Sequence, residues 1–160
     1  MNEVYLLIGG NMGDRPGYLS LARQAIEKNC GSITLLSSLY ETAAWGMKDQ
    51  EDFLNQAILL ATEMDAAKLL HCLLSIEESL GRKRLEKYGP RIIDIDILLF
   101  NDDVLDLPGL KVPHPQMQYR RFVLQPLNEI APKKIHPLLH QSISDLLEAC
   151  TDPLMVNKFY

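Results

Sequence analysis

The chain has 160 residues, 47% of them hydrophobic and 23% charged, with a formal net charge of -5. This is the size and balance of a single globular domain, residues 1–160, able to bury a core without disulfide or metal staples. The acidic balance argues against nonspecific nucleic-acid binding, which wants a basic surface, and no apolar run is long enough for a membrane span.

The apolar stretch Val4 to Ile8 is too short for a signal peptide and follows the acidic Glu3. Cys30, Cys72 and Cys150 are widely spaced and odd in number. They suit free thiols in a reducing, cytoplasmic setting better than a disulfide framework or a zinc site.

In chain order, Tyr5 to Ile8 reads as a strand ended by Gly9 and Gly10. Pro16 suits a first helical residue, and Tyr18, Leu21, Ala22, Ala25 and Ile26 then recur at helical spacing until Gly31. Ile33 to Thr42 reads as a second strand, Ala43 to Asp52 as a loop, and Phe53 to Thr62 as a third strand. Asp65 is placed to cap a helix carrying Leu69, Leu73, Ile76 and Leu80, with Gly81 as its stop. A basic loop follows, and Ile92 to Phe100 is a fourth strand. The order is strand, helix, strand, strand, helix, strand, which is the α+β ferredoxin-like arrangement. Pro113 to Pro115 reads as a turn, Phe122 to Ile130 and Ser142 to Cys150 as helices. This tail is expected to cover the other sheet face or an edge, giving three α-β-α layers.

The chemistry centres on the fourth strand. Alternation puts Ile93, Ile95, Ile97 and Leu99 on one face and Asp94 and Asp96 on the other. The two carboxylates either sit on a solvated face, pair with arginines, or hold a divalent cation, for which one or two carboxylates plus phosphate oxygens suffice for magnesium. The segment Glu78 to Arg91 carries Arg82, Lys83, Arg84, Lys87 and Arg91 against Glu78 and Glu86. Such a loop beside the aspartates points to a phosphate-bearing ligand. Carboxylates, metal and arginines are together the parts of a phosphoryl-transfer site. The chain lacks a Gly-Lys pair, so no P-loop is present, and Gly9, Gly10 and Gly13 miss the dinucleotide spacing and read as a tight turn.

The segments Gly81-Arg82-Lys83-Arg84, Tyr88-Gly89-Pro90-Arg91 and Ile93-Asp94-Ile95-Asp96-Ile97-Leu98 closely resemble the signature of the 6-hydroxymethyl-7,8-dihydropterin pyrophosphokinases. The likeness runs on through Gly9 to Asp14, Ser37 to Thr42, Phe53 to Asn55, Val112 to Pro115 and Arg120 to Leu127. It implies transfer of pyrophosphate from ATP to the pterin hydroxymethyl group, with release of AMP, in folate biosynthesis. It implies two magnesium ions on Asp94 and Asp96, with Arg82 and Arg91 also at the reacting centre. ATP contacts would fall on Leu70, Glu77, Arg82, Arg84, Tyr88, Arg91, Ile97, His114 and Arg120. Pterin contacts would fall on Thr42, Ala43, Trp45, Phe53, Asn55, Tyr88, Asp94 and Phe122. The chain departs from the family where Tyr88 replaces a frequent Trp, at Ala43 or Ala44 where Pro is frequent, and at Gln116 where Arg is common.

The residues themselves carry some of these roles. Phe53 and Asn55 share one strand face, so an aromatic wall and an amide reader meet one ligand, although core packing and a strand-end hydrogen bond are the plainer roles. Phe122 either stacks on a flat ring or packs in the core, and Trp45 either meets a ligand or covers the sheet edge. His114, stiffened between two prolines, either donates to a phosphate or occupies a turn. His71, His136 and His140 read as packing or surface residues, because the pair at 136 and 140 shows no third metal ligand. Glu77 either orients Arg82 or makes a surface pair worth little. Magnesium polarising the pterin hydroxyl would leave no need for a strong protein base, and the loops from 43 to 52 and 82 to 89 are expected to close over ATP. The chain is expected to act as a monomer on small molecules, without nucleic acid or membrane. The rival readings are a ferredoxin-like nucleotidyltransferase or cyclase, which would release pyrophosphate, and a non-catalytic RNA or effector-binding module.

Overall fold

β1, Asn2–Gly10, runs down the middle of the sheet, and its side chains alternate between two separate cores. Val4, Leu6 and Ile8 face one helical layer, while Tyr5 and Leu7 face the other. The structure is a computed structural model that describes residues 1–43, 51–81 and 92–160.

β1 leads to α1 (Arg15–Asn29), β2 (Ser32–Leu36), β3 (Tyr40–Thr42), β4 (Phe53–Thr62), α2 (Ala66–Ser79) and β5 (Asp94–Phe100). The strands pair antiparallel in the order β5-β1-β4-β3, with β2 also on β4. This is the ferredoxin-like order, with α1 and α2 on the face that holds Val4, Leu6, Ile8, Ile95 and Ile97. The tail adds a hairpin of β6 (Leu105–Leu107) and β7 (Leu110–Val112), helices α3 (Arg121–Ile130) and α4 (Ile143–Ala149), and β8 (Val156–Lys158). α3 and α4 cover the second face through Val123, Leu124, Leu127, Ile143 and Leu146, completing three layers. β8 extends the sheet at β3. No helix among the described residues is long and apolar enough to cross a membrane.

The local signals act as physical chemistry dictates. Asp14 caps α1 by accepting from Gly17 N–H, with Pro16 one residue inside the helix start rather than at it. Asp65 caps α2 by accepting from Lys68 N–H at 2.9 Å. Gly81 stops that helix at φ +94°, a conformation in which a Cβ would be strained. Within α1 the buried residues are Leu19, Ala22 and Ile26, whereas Leu21 is exposed.

Three expectations need correction. The second strand is two segments, because Ser37 turns inward there: its hydroxyl accepts from Ala57 N–H and its carbonyl accepts from the Gln56 amide. Gly9 and Gly10 belong to β1, and only Gly13 lies in the turn before α1. Leu99 does not share the face of Ile93, Ile95 and Ile97. The β1–β5 register slips between Tyr5 and Leu6, so Leu98 is an extra residue, Phe100 returns to the α1–α2 core and Leu99 joins the other. The hairpin and β8 supply the additional C-terminal strands expected beyond the ferredoxin-like core, at positions that the sequence pattern did not specify.

Glu129 at the end of α3 links the helix to the sheet. It accepts from Tyr40 Oη at 2.6 Å and Ser38 N–H at 2.8 Å. Burial pushes its carboxyl upward, but the bonds from Tyr40 and Ser38, with the charge of Lys158, outweigh this and hold it below its ordinary value. Burial, then the bond to Glu129, pushes the Tyr40 phenol up. A carboxyl lowered in the folded state stabilises fully above its ordinary value of 4.5 and loses that contribution as pH falls through the lowered one. Glu129→Gln is expected to lower the melting temperature at neutral pH and to flatten its decline below about pH 4.5. Thermal melts of both proteins from neutral pH down to about pH 3 check this, and parallel curves would remove Glu129 from the acid response.

Candidate active site

The face that α3 and α4 only partly cover carries a row of registered residues. Asp94 pairs with Gly9, Gly9 with Asn55, and Asn55 with Tyr40. Two residues nearer the start of β4, Phe53 pairs with Thr42. Alternation puts Asp94, Asp96, Gly9, Asn55, Phe53 and Thr42 on this same face. Asp94 and Asn55 are two strand spacings apart, or roughly 10 Å, about the reach of one fused-ring ligand.

Gly9 makes the row possible. A Cβ there would lie 2.0 Å from Asn55 Oδ1 and 3.0 Å from the Leu54 carbonyl oxygen. The Asn55 carboxamide therefore lies across the strand over Gly9, where only hydrogen leaves room. Asn55 is 5% exposed, so its donor and acceptor edges are held in a nearly dry place. Phe53 is half-buried beside it, and Thr42 is buried with its hydroxyl donating to the Met155 carbonyl at 3.0 Å. Phe122 packs against the core on this face, with the Arg120 guanidinium 5.7 Å from its ring centroid. Arg121, next in the chain, anchors the start of α3 by donating to the carbonyls of Cys150 and Asp152.

The two aspartates also belong to a second space. A cleft of about 840 Å³ wraps the outer edge of β5 and takes in Asp94, Asp96 and Ile97 with Leu70 and Glu77 of α2, His114, and the hairpin from Leu107 to Lys111. β5 is an edge strand, and two of its outward backbone groups find partners here. Ile95 N–H donates to Glu77 Oε2 at 2.6 Å, and His114 N–H donates to the Leu98 carbonyl at 2.9 Å. Glu77 is 3% exposed. Its weak surface pairing is thus ruled out, and its carboxylate fixes the stretch of backbone between the two aspartates.

His114 is half-buried, and its Nδ1 accepts from Gln116 N–H at 3.1 Å, which leaves the proton on Nε2. Burial, then the charge of Arg120, holds its pKa below the ordinary histidine value. At neutral pH it is therefore a neutral ring with one N–H to give. His136 and His140 are not on a helix. His136 is buried, and its Nδ1 accepts from Leu138 and Leu139 N–H in a turn.

The structure thus gathers Leu70, Glu77, Asp94, Asp96, Ile97 and His114 around one cleft, and Thr42, Phe53 and Asn55 along the adjoining face. Ala43 follows β3 and is exposed. Arg82, Arg84, Tyr88, Arg91 and Trp45 lie outside the described residues. The role of Gly9 and the contribution of the β6–β7 hairpin to the cleft were missed by sequence reasoning. A glycine directly after an apolar run was the available signal for the first, but its partner on β4 is a matter of register.

The family model for 7,8-dihydro-6-hydroxymethylpterin-pyrophosphokinase matches residues 5–132. This chain belongs to that family. It is 41% identical over 145 residues to the 2-amino-4-hydroxy-6-hydroxymethyldihydropteridine pyrophosphokinase of Aquifex aeolicus, covering 91% of this chain and 90% of the relative. It is 43% identical over 130 residues to the Bacillus subtilis protein of the same name, covering 81% and 78%. Among solved structures, Plasmodium falciparum HPPK-DHPS with SDX-DHP matches with a TM-score of 0.74 over 92% of this chain, at 21% identity. That likeness concerns the fold alone, and this chain spans 43% of that longer chain. As a member of this family the chain is a pyrophosphokinase, a transferase of folate biosynthesis.

The Gly9–Asn55 contact makes a direct test of the row. Gly9→Ala is expected to cost about 1–3 kcal/mol of stability by urea denaturation, because the added methyl overpacks the strand. In an Asn55→Ala background most of that cost should vanish, since the nearest clashing atom is gone. An unchanged cost there would place the strain in the backbone of β4 instead.

Proposed function

We propose that the chain transfers the β,γ-pyrophosphate of ATP to the hydroxymethyl group of 6-hydroxymethyl-7,8-dihydropterin, with magnesium on Asp94 and Asp96. The observation that carries this reading is the placement of the two aspartates. They share one sheet face and line the cleft at β5, and Asp94 stands in register with the Gly9–Asn55 pair. One substrate can therefore lie in the cleft and another along the face, with the aspartates where the two meet.

The donor set fits magnesium. Both carboxylates are half-exposed hard oxygen ligands, and the described residues include no group of three His, Cys, Asp or Glu side chains that could hold a metal. An ion that takes one or two carboxylates and completes its shell with water and phosphate oxygens suits such a pair. When bound, magnesium supplies charge neutralisation on the phosphates and acidifies the acceptor hydroxyl.

The protein's own residues divide the remaining work. Leu70 and Ile97 give the cleft an apolar wall suited to an adenine ring. His114 offers its Nε2 proton, and Arg120 its charge, to phosphate oxygens. Glu77 keeps the Asp94–Asp96 backbone from shifting by holding Ile95 N–H. On the face, Asn55 presents an amide to the mixed donor and acceptor edge of the pterin, while Phe53 and Phe122 offer ring surfaces to its plane. Thr42 and Ala43 border that plane. The resemblance adds Arg82, Arg84, Tyr88, Arg91 and Trp45. Three free cysteines support a reducing, cytoplasmic setting.

Asp96→Asn is expected to lower turnover by about 10²–10³-fold or more while pterin binding, read by calorimetry, changes little. Chelation of divalent metal should abolish activity, and added magnesium should restore it. The product assay decides the reaction: AMP accompanies pyrophosphate transfer, whereas released pyrophosphate would signal nucleotidyl transfer. Near-normal turnover of Asp96→Asn would sink the metal assignment.

A further inference from the structure

The turn between β1 and α1 lies outside both the cleft and the registered row, yet it grips the strand ends that form the row. Arg15 Nη1 donates to Glu41 Oε2 at 2.6 Å and to the Asp52 carbonyl oxygen at 2.8 Å. Glu41 immediately precedes Thr42, and Asp52 immediately precedes Phe53. Thr42 and Phe53 are the last registered pair of the β3–β4 ladder. Asn11, also from this turn and buried, donates from Nδ2 to the Glu51 carbonyl at 3.0 Å. Phe159 of the C-terminal tail lies against the Arg15 guanidinium, 5.4 Å from ring centroid to Cζ. The same tail donates Phe159 N–H to the Leu39 carbonyl at 2.9 Å.

We infer that Arg15 is a positioning residue for the pterin side of the reaction, bracketing the ends of β3 and β4 so that Thr42, Phe53 and Asn55 form one surface. This rests on the reading of those three residues as pterin contacts.

The physical argument is one of fraying. Thr42 is held on its outer side by Val156 of β8, but the Thr42–Phe53 pair is the last of the β3–β4 ladder, and the end of a ladder opens more readily than its middle. A guanidinium bonded to one residue on each strand, 11 positions apart in the chain, adds the missing restraint. Its side chain is 18% exposed and that of Glu41 33%, so the pair is partly shielded from the screening that weakens surface ion pairs. The planar guanidinium also stacks on Phe159, which an ammonium cannot match. Losing the bracket lowers the fraction of molecules with the face assembled, and apparent affinity falls by the same fraction. The ATP cleft lies at β5, on the far side of β1 and β4 from Glu41. Its affinity should not feel the change.

The test compares Arg15→Met and Arg15→Lys with wild type by steady-state kinetics, calorimetric titration of pterin and of a non-hydrolysable ATP analogue, and thermal melts. Arg15→Met should raise the pterin KM and Kd by roughly 5–20-fold. It should leave ATP-analogue affinity within about twofold and kcat at saturating pterin reduced by less than about threefold. Arg15→Lys should recover part of the pterin affinity. An Arg15→Met protein with normal pterin affinity overturns the inference, as does one in which both substrates weaken equally alongside a lower melting temperature. Asn55→Ala separates this from its premise. If that variant loses pterin affinity while Arg15→Met does not, only the bracket fails. If Asn55→Ala also binds pterin normally, the pterin surface itself is misplaced and the bracket falls with it.

Discussion

Everything at the candidate site depends on the alternation of β5. Ile93, Ile95 and Ile97 are buried against the α1–α2 layer, and the period of two then forces Asp94 and Asp96 to the opposite side. The constraint is steep because slipping the strand by one residue would exchange the sets, burying two carboxylates in an apolar core and exposing three isoleucines. Burying each isoleucine contributes on the order of 2 kcal/mol. The register is thus held by hydrophobic burial, and the side of the sheet on which the carboxylates stand follows from it. The bulge at Leu98 respects this division. It falls after Asp96, so it redirects Leu99 and Phe100 into their two cores without moving the aspartates.

An edge strand is an unusual place for chemistry that needs rigidity, because one row of its backbone groups lacks a neighbour. Here two groups of that row are bonded, one by a side chain and one by the tail. Glu77 takes the N–H of Ile95, and the His114 backbone reaches the carbonyl of Leu98. A further strand would have done the same for the backbone but closed the cleft. A single buried carboxylate and one loop leave the cleft open while holding the strand. The same logic appears at the other side of the site, where Gly9 gives up a side chain so that Asn55 can lie flat between strands. Both ends of the site therefore use an omission in the sheet.

The core pattern was legible because each element carries its own period and its own stop. Asp65 and Gly81 bound α2 by capping chemistry that needs no tertiary partner, and the isoleucine–aspartate alternation names the faces of β5 outright. What escaped were features that exist only between segments. Ser37 interrupts the second strand because its hydroxyl and carbonyl meet Gln56 and Ala57, twenty positions away in the chain. The three-residue strands β6, β7 and β8 are too short for a period to show. Leu99 read as a continuation of the isoleucine face because a bulge adds a residue without changing composition. The bond from Glu77 to the Ile95 N–H escaped because a backbone N–H is one the sequence does not distinguish from any other.

The motifs that resemblance picked out fall into two physical kinds. Asp94, Asp96, Asn55 and His114 present functional atoms to the cleft or the face. The stretch from Gly9 to Arg15 acts differently: Gly9 at the end of β1 makes room for Asn55, and the turn after it brings Asn11 and the first residue of α1, Arg15, to the ends of β3 and β4. A stretch can be restricted as tightly by what it holds as by what it contacts. The C-terminal tail joins that framework, since β8 pairs with β3 and Phe159 backs Arg15. Four segments far apart in the chain therefore converge on the strand ends beside Thr42 and Phe53. The face that carries Thr42, Phe53 and Asn55 is a product of the whole fold, while the aspartate pair is a product of one strand.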